Sequence, residues 1–284
     1  MSTPRADPAA QAQTARPEAP PLSCRAVSPE EVGHYAEHGW TRLPGLLPPE
    51  TVAALKARAI AAMGEDGQGN AVSPFRQDFF NPEPTGGLND PQIRPLITGF
   101  AANAKQLMAR RPEIGVRYFG DMFAAKLPQA WETAHPGAGA THCHQDFTNW
   151  ALDRSGGMTF WVALDDLTEE SGTMSFYSGS HALGVLGHYQ SYTQGLDLLD
   201  DFPEIAVRCP KSGPHTYRAG DATVHSVMLA HSAGANLTDQ PRWAYLVMMI
   251  PEDARWNGAP PQAFDTAGMT HLQLLDDRIF PVIG

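Results

Sequence analysis

Cysteine is scarce in this chain: Cys24, Cys143 and Cys209 are the only three in 284 residues. Three thiols without a repeating spacing make neither a disulfide framework nor a zinc ribbon, and they suit a reducing cytoplasm. Long apolar runs are also missing. No stretch reaches the roughly 18 residues that a bilayer span requires, and the N-terminus lacks the apolar centre of a signal peptide. A cytoplasmic protein without a membrane partner is expected. Positive charge is short as well: 20 Lys and Arg against 31 Asp and Glu leave a formal net charge of −11. Nucleic acid and anionic membranes need a positive footprint, so this balance excludes both as expected partners. A small-molecule partner remains, with the chain acting as a monomer or homodimer.

The first 27 residues, rich in Ala, Pro and Gln without apolar periodicity, read as a disordered tail. With 42% of the chain hydrophobic, residues 28–284 suffice for a single large domain. Ser28 caps a helix with Pro29 at its first position and Glu31 completing a capping box, and Gly39 stops it. After a short apolar stretch from Trp40 to Leu47, and after Pro48 and Pro49, a second helix runs to about Met63, with Val52, Leu55, Ala59 and Met63 along one side. Glu65 to Gly87 reads as a long loop. Asp90 and Pro91 open a third helical region, broken at Pro95 and Gly99 and ending near Met108.

Beyond Pro112 the apolar period changes from helical to two. Ile114, Val116 and Tyr118 alternate, then Met122, Ala124 and Lys126. Met158 to Leu164, Gly172 to Tyr177, Thr216 to Val224 and Trp243 to Ile250 each read as strands. His181 to Pro214 reads as an insertion with scattered apolar residues. Helices first and strands later, with no alternating βαβ units, predict an antiparallel sandwich with flanking α-helices; a jelly roll satisfies this pattern.

The run Ala140 to Trp150 carries the chemistry. His144 has Asp146 two positions on; at a strand end, positions i and i+2 project to one side, so an imidazole and a carboxylate can share one ion. A third ligand candidate, His231, lies far downstream. Two histidines and one carboxylate on one face of an octahedral ion leave three positions open, the arrangement of non-haem Fe(II) oxygenases. Arg242 follows His231 at the start of an apolar run, where its planar fork can bind a carboxylate in bidentate fashion. Other histidines compete. His142 and His144 form an H-x-H pair, and His225 lies six residues before His231, though the spacing to Arg242 favours His231. Cys143, one position from His144, points to the opposite face and reads as packing.

As a set, H-Q-D at 144 to 146, F-W-V-A-L-D-D-L-T-E-E-S-G-T-M from Phe160 to Met174, S-G-S-H from Ser178 to His181, and G-D-A-T-V-H with H-S-A-G-A-N and Arg242 resemble the phytanoyl-CoA dioxygenase group of Fe(II)- and 2-oxoglutarate-dependent oxygenases. The likeness runs from about Ser28 to the C-terminus. It implies a double-stranded β-helix core of the cupin-like jelly-roll kind, and Fe(II) held by His144, Asp146 and His231. It further implies 2-oxoglutarate chelating the iron with its far carboxylate on Arg242, and dioxygen as the second co-substrate. Position by position, Trp161 falls where the family walls the co-substrate pocket and Met122 where it touches the co-substrate. Where well-known members have H-G-S after the distal ligand, this chain has His231, Ser232 and Ala233, which leaves Ser232 or Thr223 to supply the hydroxyl beside Arg242. The Glu65 to Gly87 region is where the family closes over its site.

The implied reaction couples oxidative decarboxylation of 2-oxoglutarate, giving succinate and carbon dioxide, to oxidation of a substrate C–H bond. Related halogenases have Gly or Ala where Asp146 stands, so hydroxylation, desaturation or ring formation is implied over halogenation. Phe147, Trp150 and Phe160 lean the substrate towards an apolar or aromatic small molecule, of secondary metabolism. A cupin-like isomerase or lyase using the same ligands without dioxygen is the alternative; it would need no clamp at Arg242.

Overall fold

The helices lead the chain and cover one face of a large antiparallel sheet. In the computed structural model, which describes residues 21–67, 77–80, 86–108, 111–131, 139–187, 196–261 and 265–283, α1 (Pro29–His38) begins with the expected reciprocal cap: Ser28 Oγ accepts from the Glu31 amide, and the Glu31 carboxylate accepts from the Ser28 amide at 2.7 Å. Such a box satisfies two amides that the first helical turn leaves without partners. β1 (Trp40–Leu43) and α2 (Pro49–Met63) come next, and Val52, Leu55, Ala59 and Met63 are buried as their spacing predicts.

Three expectations change here. Residues 21–27, expected in the disordered tail, are packed: Leu22 and Val27 are buried, and the Val27 amide donates to Asn103 Oδ1 at 2.9 Å. The third helix, α3 (Arg94–Leu107), is not broken at Pro95 or Gly99. Pro95 lies in the first turn, where its missing N–H costs nothing. Gly99 lets the N-terminal segment come close, since a Cβ there would stand 2.7 Å from Cys24 Sγ. Within the expected loop at 65–87, Gln77–Phe80 forms an edge strand, β2, antiparallel to β3 (Val116–Lys126). Residues 68–76 and 81–85 of that segment, where closure over the site was expected, lie outside the described residues.

β3 joins the two alternating runs into one strand of 11 residues, with an irregularity between Tyr118 and Gly120. β4 (Thr141–His144), α4 (Phe147–Trp150), β5 (Met158–Ala163) and β6 (Met174–Phe176) come after it. The insertion carries α5 (Leu198–Asp201) and α6 (Glu204–Arg208), and then β7 (Ala222–Ser226), β8 (His231–Ala233) and β9 (Arg242–Pro251) complete the fold. The strand expected over Thr216 to Val224 starts only at Ala222; Tyr217 makes a single bridge to Leu167.

A six-stranded antiparallel sheet, ordered β1-β7-β5-β9-β3-β2, is accompanied by a three-stranded sheet, β4-β8-β6. Side chains alternate across the large sheet and so sort into two cores. Phe160, Val162, Tyr245, Val247 and Met249 join α2 and α3 on one face, while Trp161, Ala163, Ala244, Leu246 and Met248 join Met174 and Phe176 of the small sheet on the other. Each buried Leu, Val or Phe contributes roughly 1.5–3 kcal/mol. A sheet covered on both faces explains why β9 reads as the near-continuous apolar run W-A-Y-L-V-M-M-I. This is the double-stranded β-helix predicted from the sequence.

Candidate metal centre

The small sheet brings two histidines side by side. His144 ends β4 and His231 begins β8, and the two are paired in register with ring centroids 4.4 Å apart. Each ring turns its Nδ1 onto the carbonyl two residues upstream, His144 onto His142 at 2.8 Å and His231 onto Leu229 at 3.0 Å. Those carbonyls accept, so Nδ1 carries the proton and each Nε2 presents its lone pair on the side of Asp146.

Asp146 arrives by a different route from the one its spacing suggested. β4 has ended, and Asp146 has helical dihedrals (φ −60, ψ −35) at the start of α4. The carboxylate therefore reaches the site through a helical turn rather than by strand alternation. Its Oδ1 lies 3.6 Å from His144 Nε2 and 3.7 Å from His231 Nε2, and one ligand atom from each of the three residues falls within 4.8 Å of the others. Atoms about 2.1 Å from one ion lie roughly 3 to 4 Å apart, so the spacing admits a metal.

Electrostatics favour the ligand forms of these groups. Burial pushes the Asp146 carboxyl up, but the imidazoles of His231, His144 and His225 outweigh it and hold the group well below the usual carboxylate range. Burial, reinforced by the neighbouring His144 and His225, holds His231 well below its ordinary value against the pull of Asp146. A carboxylate and a neutral imidazole are what a divalent ion requires.

Sequence reasoning missed the groups that hold this arrangement. Thr159 Oγ1 donates to Asp146 Oδ2 at 2.9 Å, and His225 Nε2 lies 3.2 Å from the same oxygen. Gln145, between the ligands, is almost fully buried: its amide donates to the Gly184 and Met228 carbonyls, at 3.0 and 2.6 Å, and accepts from the Leu186 amide at 2.7 Å. Period two along β5 and β7, which puts Thr159 with Trp161 and Thr223 with His225, was the available signal. Cys143 packs away from the site as expected, beside Tyr177, Leu198 and Ile205, and burial raises its thiol to about 12.

Arg242 opens β9, buried, with Nη1 donating to the Gly172 carbonyl at 2.5 Å and its guanidinium 5.0 Å from the Trp161 ring centre. Thr223 faces Trp161 across the β5/β7 ladder. Tyr217 lies 5.2 Å from Trp161, and burial raises its phenol to about 12 against the opposing influence of Thr223, Arg42 and Arg242. Met122 is opposite Leu246 in the same inner core as Trp161. Two expectations fail on strand alternation. Ser232 follows His231 directly on β8, so it is turned from the side that His231 faces. Phe160, one residue from Trp161, packs on the helix side against Phe100 at 5.0 Å. Phe147 and Trp150 of α4 do lie in the inner core, and Trp150 stacks on Phe119 at 4.6 Å.

The sequence pattern of the phytanoyl-CoA dioxygenase family matches residues 35–244. The dioxygenase af480 of Aspergillus fumigatus is 25% identical over 229 residues, 75% of this chain and 63% of that protein, so the chain spans less than two thirds of that relative. Among solved structures, the non-haem alpha-ketoglutarate-dependent carbocyclase SnoK from nogalamycin biosynthesis shares the fold at TM-score 0.70 and 24% identity, over 93% of this chain and all of that one. The epimerase SnoN, solved with Fe3+, alpha-ketoglutarate and nogalamycin RO, does so at 0.69 and 23%, over 90% and 98%. EvdO2 from Micromonospora carbonacea var. aurantiaca, solved with 2-oxoglutarate, does so at 0.61 and 21%, over 85% and 98%. A family pattern that spans most of the chain, including all three metal-ligating candidates and Arg242, places this protein in the phytanoyl-CoA dioxygenase family.

Proposed function

We propose that the protein is an Fe(II)- and 2-oxoglutarate-dependent oxygenase that oxidises a C–H bond of a small, apolar or aromatic molecule of secondary metabolism. The observation that carries this reading is the meeting of His144, Asp146 and His231 within 4.8 Å. Two nitrogens and a single carboxylate oxygen leave half of an octahedral ion open, which suits iron that must take a chelating co-substrate and dioxygen.

The residues beside the metal site have the chemistry to hold the co-substrate. Thr159 and His225 hold Asp146, while Trp161 and Thr223, two residues further along the same paired strands, stand with Arg242. Two strand residues span roughly 7 Å, on the order of the length of a five-carbon dicarboxylate. Arg242 lies opposite Lys126 in the β3/β9 ladder, and both are buried on one face. A carboxylate of the co-substrate placed beside them would meet two cations. The Thr173 hydroxyl is buried without a hydrogen-bond partner among the described residues, and the buried Tyr217 and Thr223 hydroxyls lie against each other, which suits them to donate to that carboxylate. Arg242, with Thr223 in place of the displaced Ser232, holds the far carboxylate; Trp161 and Met122 wall the chain between.

When bound, Fe(II) supplies the activation of dioxygen, with 2-oxoglutarate giving up two electrons as succinate and carbon dioxide. The protein holds the metal, orients the dicarboxylate and excludes water. Related halogenases have Gly or Ala where Asp146 stands, so a carboxylate that would ligate the metal favours hydroxylation, desaturation or ring closure. Phe119, Phe147, Trp150 and Met248 form an apolar wall in the same core as Trp161, which supports the apolar substrate. Unpaired Cys143 and Cys209, packed in one cluster, fit a reducing cytoplasm, and the protein works as a monomer or homodimer.

The test is turnover of 2-oxoglutarate to succinate by protein reconstituted with Fe(II) under air, screened against polycyclic and aliphatic metabolites by mass spectrometry. Succinate release stimulated by one of them is expected. Failure to bind 2-oxoglutarate in the presence of metal would overturn the reading; product formation without oxygen uptake would favour a metal-dependent isomerase or lyase.

A further inference from the structure

We infer that His225 and Thr159 are positioning residues that commit Asp146 to binding the metal through one oxygen only; the inference rests on the proposed metal site. The two oxygens of Asp146 are in different surroundings. Oδ1 faces both ligand imidazoles, at 3.6 and 3.7 Å, whereas Oδ2 takes the Thr159 hydroxyl at 2.9 Å and His225 Nε2 at 3.2 Å. Thr159 and His225 are direct partners in the β5/β7 ladder, so their side chains share one face and converge on one point. Both are buried, and the large sheet fixes them on either side of the carboxylate.

The orientation of His225 is set by its neighbours. An Nε2 lone pair aimed at a carboxylate would repel it, so Nε2 carries the proton. Nδ1 is buried with no hydrogen-bond partner among the described residues, so the contact with Asp146 is the one that orients the ring. His225 is close to His231, at 4.4 Å between ring centres, yet its inward nitrogen is spent on Asp146 and not on the ion. Swinging Oδ2 towards the metal would break two charge-assisted hydrogen bonds at once. Held off, Oδ2 leaves three coordination positions open, enough for a chelating co-substrate and one further ligand. A carboxylate binding through both oxygens would take one of them.

Partners of this kind, one step removed from the ion, typically govern metal affinity by 10–100-fold. Thr159→Val removes the hydroxyl at constant shape, His225→Leu removes the imidazole donor, and His225→Gln returns an N–H near the position of Nε2. Two readouts apply: the dissociation constant for Co(II) by calorimetry, and the spin signal formed when nitric oxide fills the remaining position of anaerobic protein loaded with Fe(II) and 2-oxoglutarate. Thr159→Val and His225→Leu are each expected to weaken Co(II) binding about 10–100-fold and to lower the nitrosyl signal at metal saturation, with His225→Gln recovering much of both. Thr159→Val carries the test if His225→Leu does not fold, as judged by circular dichroism. Unchanged affinity and signal in folded variants would overturn the inference, as would weaker affinity with a full nitrosyl signal, because the one-oxygen arrangement would then not depend on these residues. If the unsubstituted protein binds no Co(II), the metal-site reading itself fails and takes this inference with it.

Discussion

At the scale of single residues, the proposed function divides the site into groups that hold a metal and groups that hold an anion, and substitution should separate them. Arg242 touches Trp161 and the Gly172 carbonyl, none of them a ligand candidate. Losing one partner of a buried charged pair costs about 2 to 5 kcal/mol, so Arg242→Leu should raise the 2-oxoglutarate requirement roughly 30-fold or more. Its Co(II) affinity should stay within about twofold of the parent, since no ligand or Asp146 partner is touched; titration calorimetry with each ligand in turn checks both halves. The three ligand candidates were legible because charge and imidazole stand out against the apolar strands around them. His225 and Thr159 were not, because their role depends on facing each other across β5 and β7, a register that spacing along one strand does not reveal. Ser232 misled for the related reason that proximity in sequence to His231 is not proximity in space when strand residues alternate.

At the scale of elements, α1 and α2 were legible to within a residue or two because their ends carry local chemistry: the Ser28 and Glu31 box, the Pro48 and Pro49 pair at a start, Gly64 at a close. The edge strand β2 was hidden among Gly and Pro, since pairing with β3 and not its own propensity makes it a strand. The short β6 was read too long, and the turn before it explains why it matters. Gly172 has φ +68, and a Cβ there would meet the Gly234 carbonyl oxygen at 2.5 Å and Ala235 at 2.7 Å. Backbone lies on the other side, so no rotamer change relieves the contact. Gly172→Ala should therefore push β6 from the Gly234 turn and move the carbonyl that steadies Arg242, with a stability loss of about 1–3 kcal/mol in urea melts. The dissociation constant for 2-oxoglutarate should rise in step, while metal affinity, which rests on ligand candidates of β4, β8 and the start of α4, should stay as before.

At the scale of the whole molecule, the jelly roll places two imidazoles and a carboxylate in its interior, and the pH dependence of folding reports how they are charged. Two charge states of His231 predict opposite slopes. Were it a cation paired with Asp146, its folded pKa would be raised, and stability would be lost as pH climbed through that value. Instead, burial and the adjacent imidazoles of His144 and His225 hold His231 well below 6.5, despite the attraction of Asp146. A depressed folded pKa means that the unfolded chain binds more protons, so stability is complete above 6.5 and falls as pH drops below it, by up to about 1.4 kcal/mol per pH unit for one such group. Asp146, also held low, adds a loss of the same sign only below 3.8. Metal-free protein treated with chelator should therefore melt at progressively lower temperature between about pH 6.5 and 5, the range in which an ordinary histidine takes up its proton. His231→Phe should flatten that slope, because the side chain that resists protonation is gone. A melting temperature that rose on acidification would show a charged His231 in the folded state, a form that cannot donate a lone pair to a metal until it loses its proton.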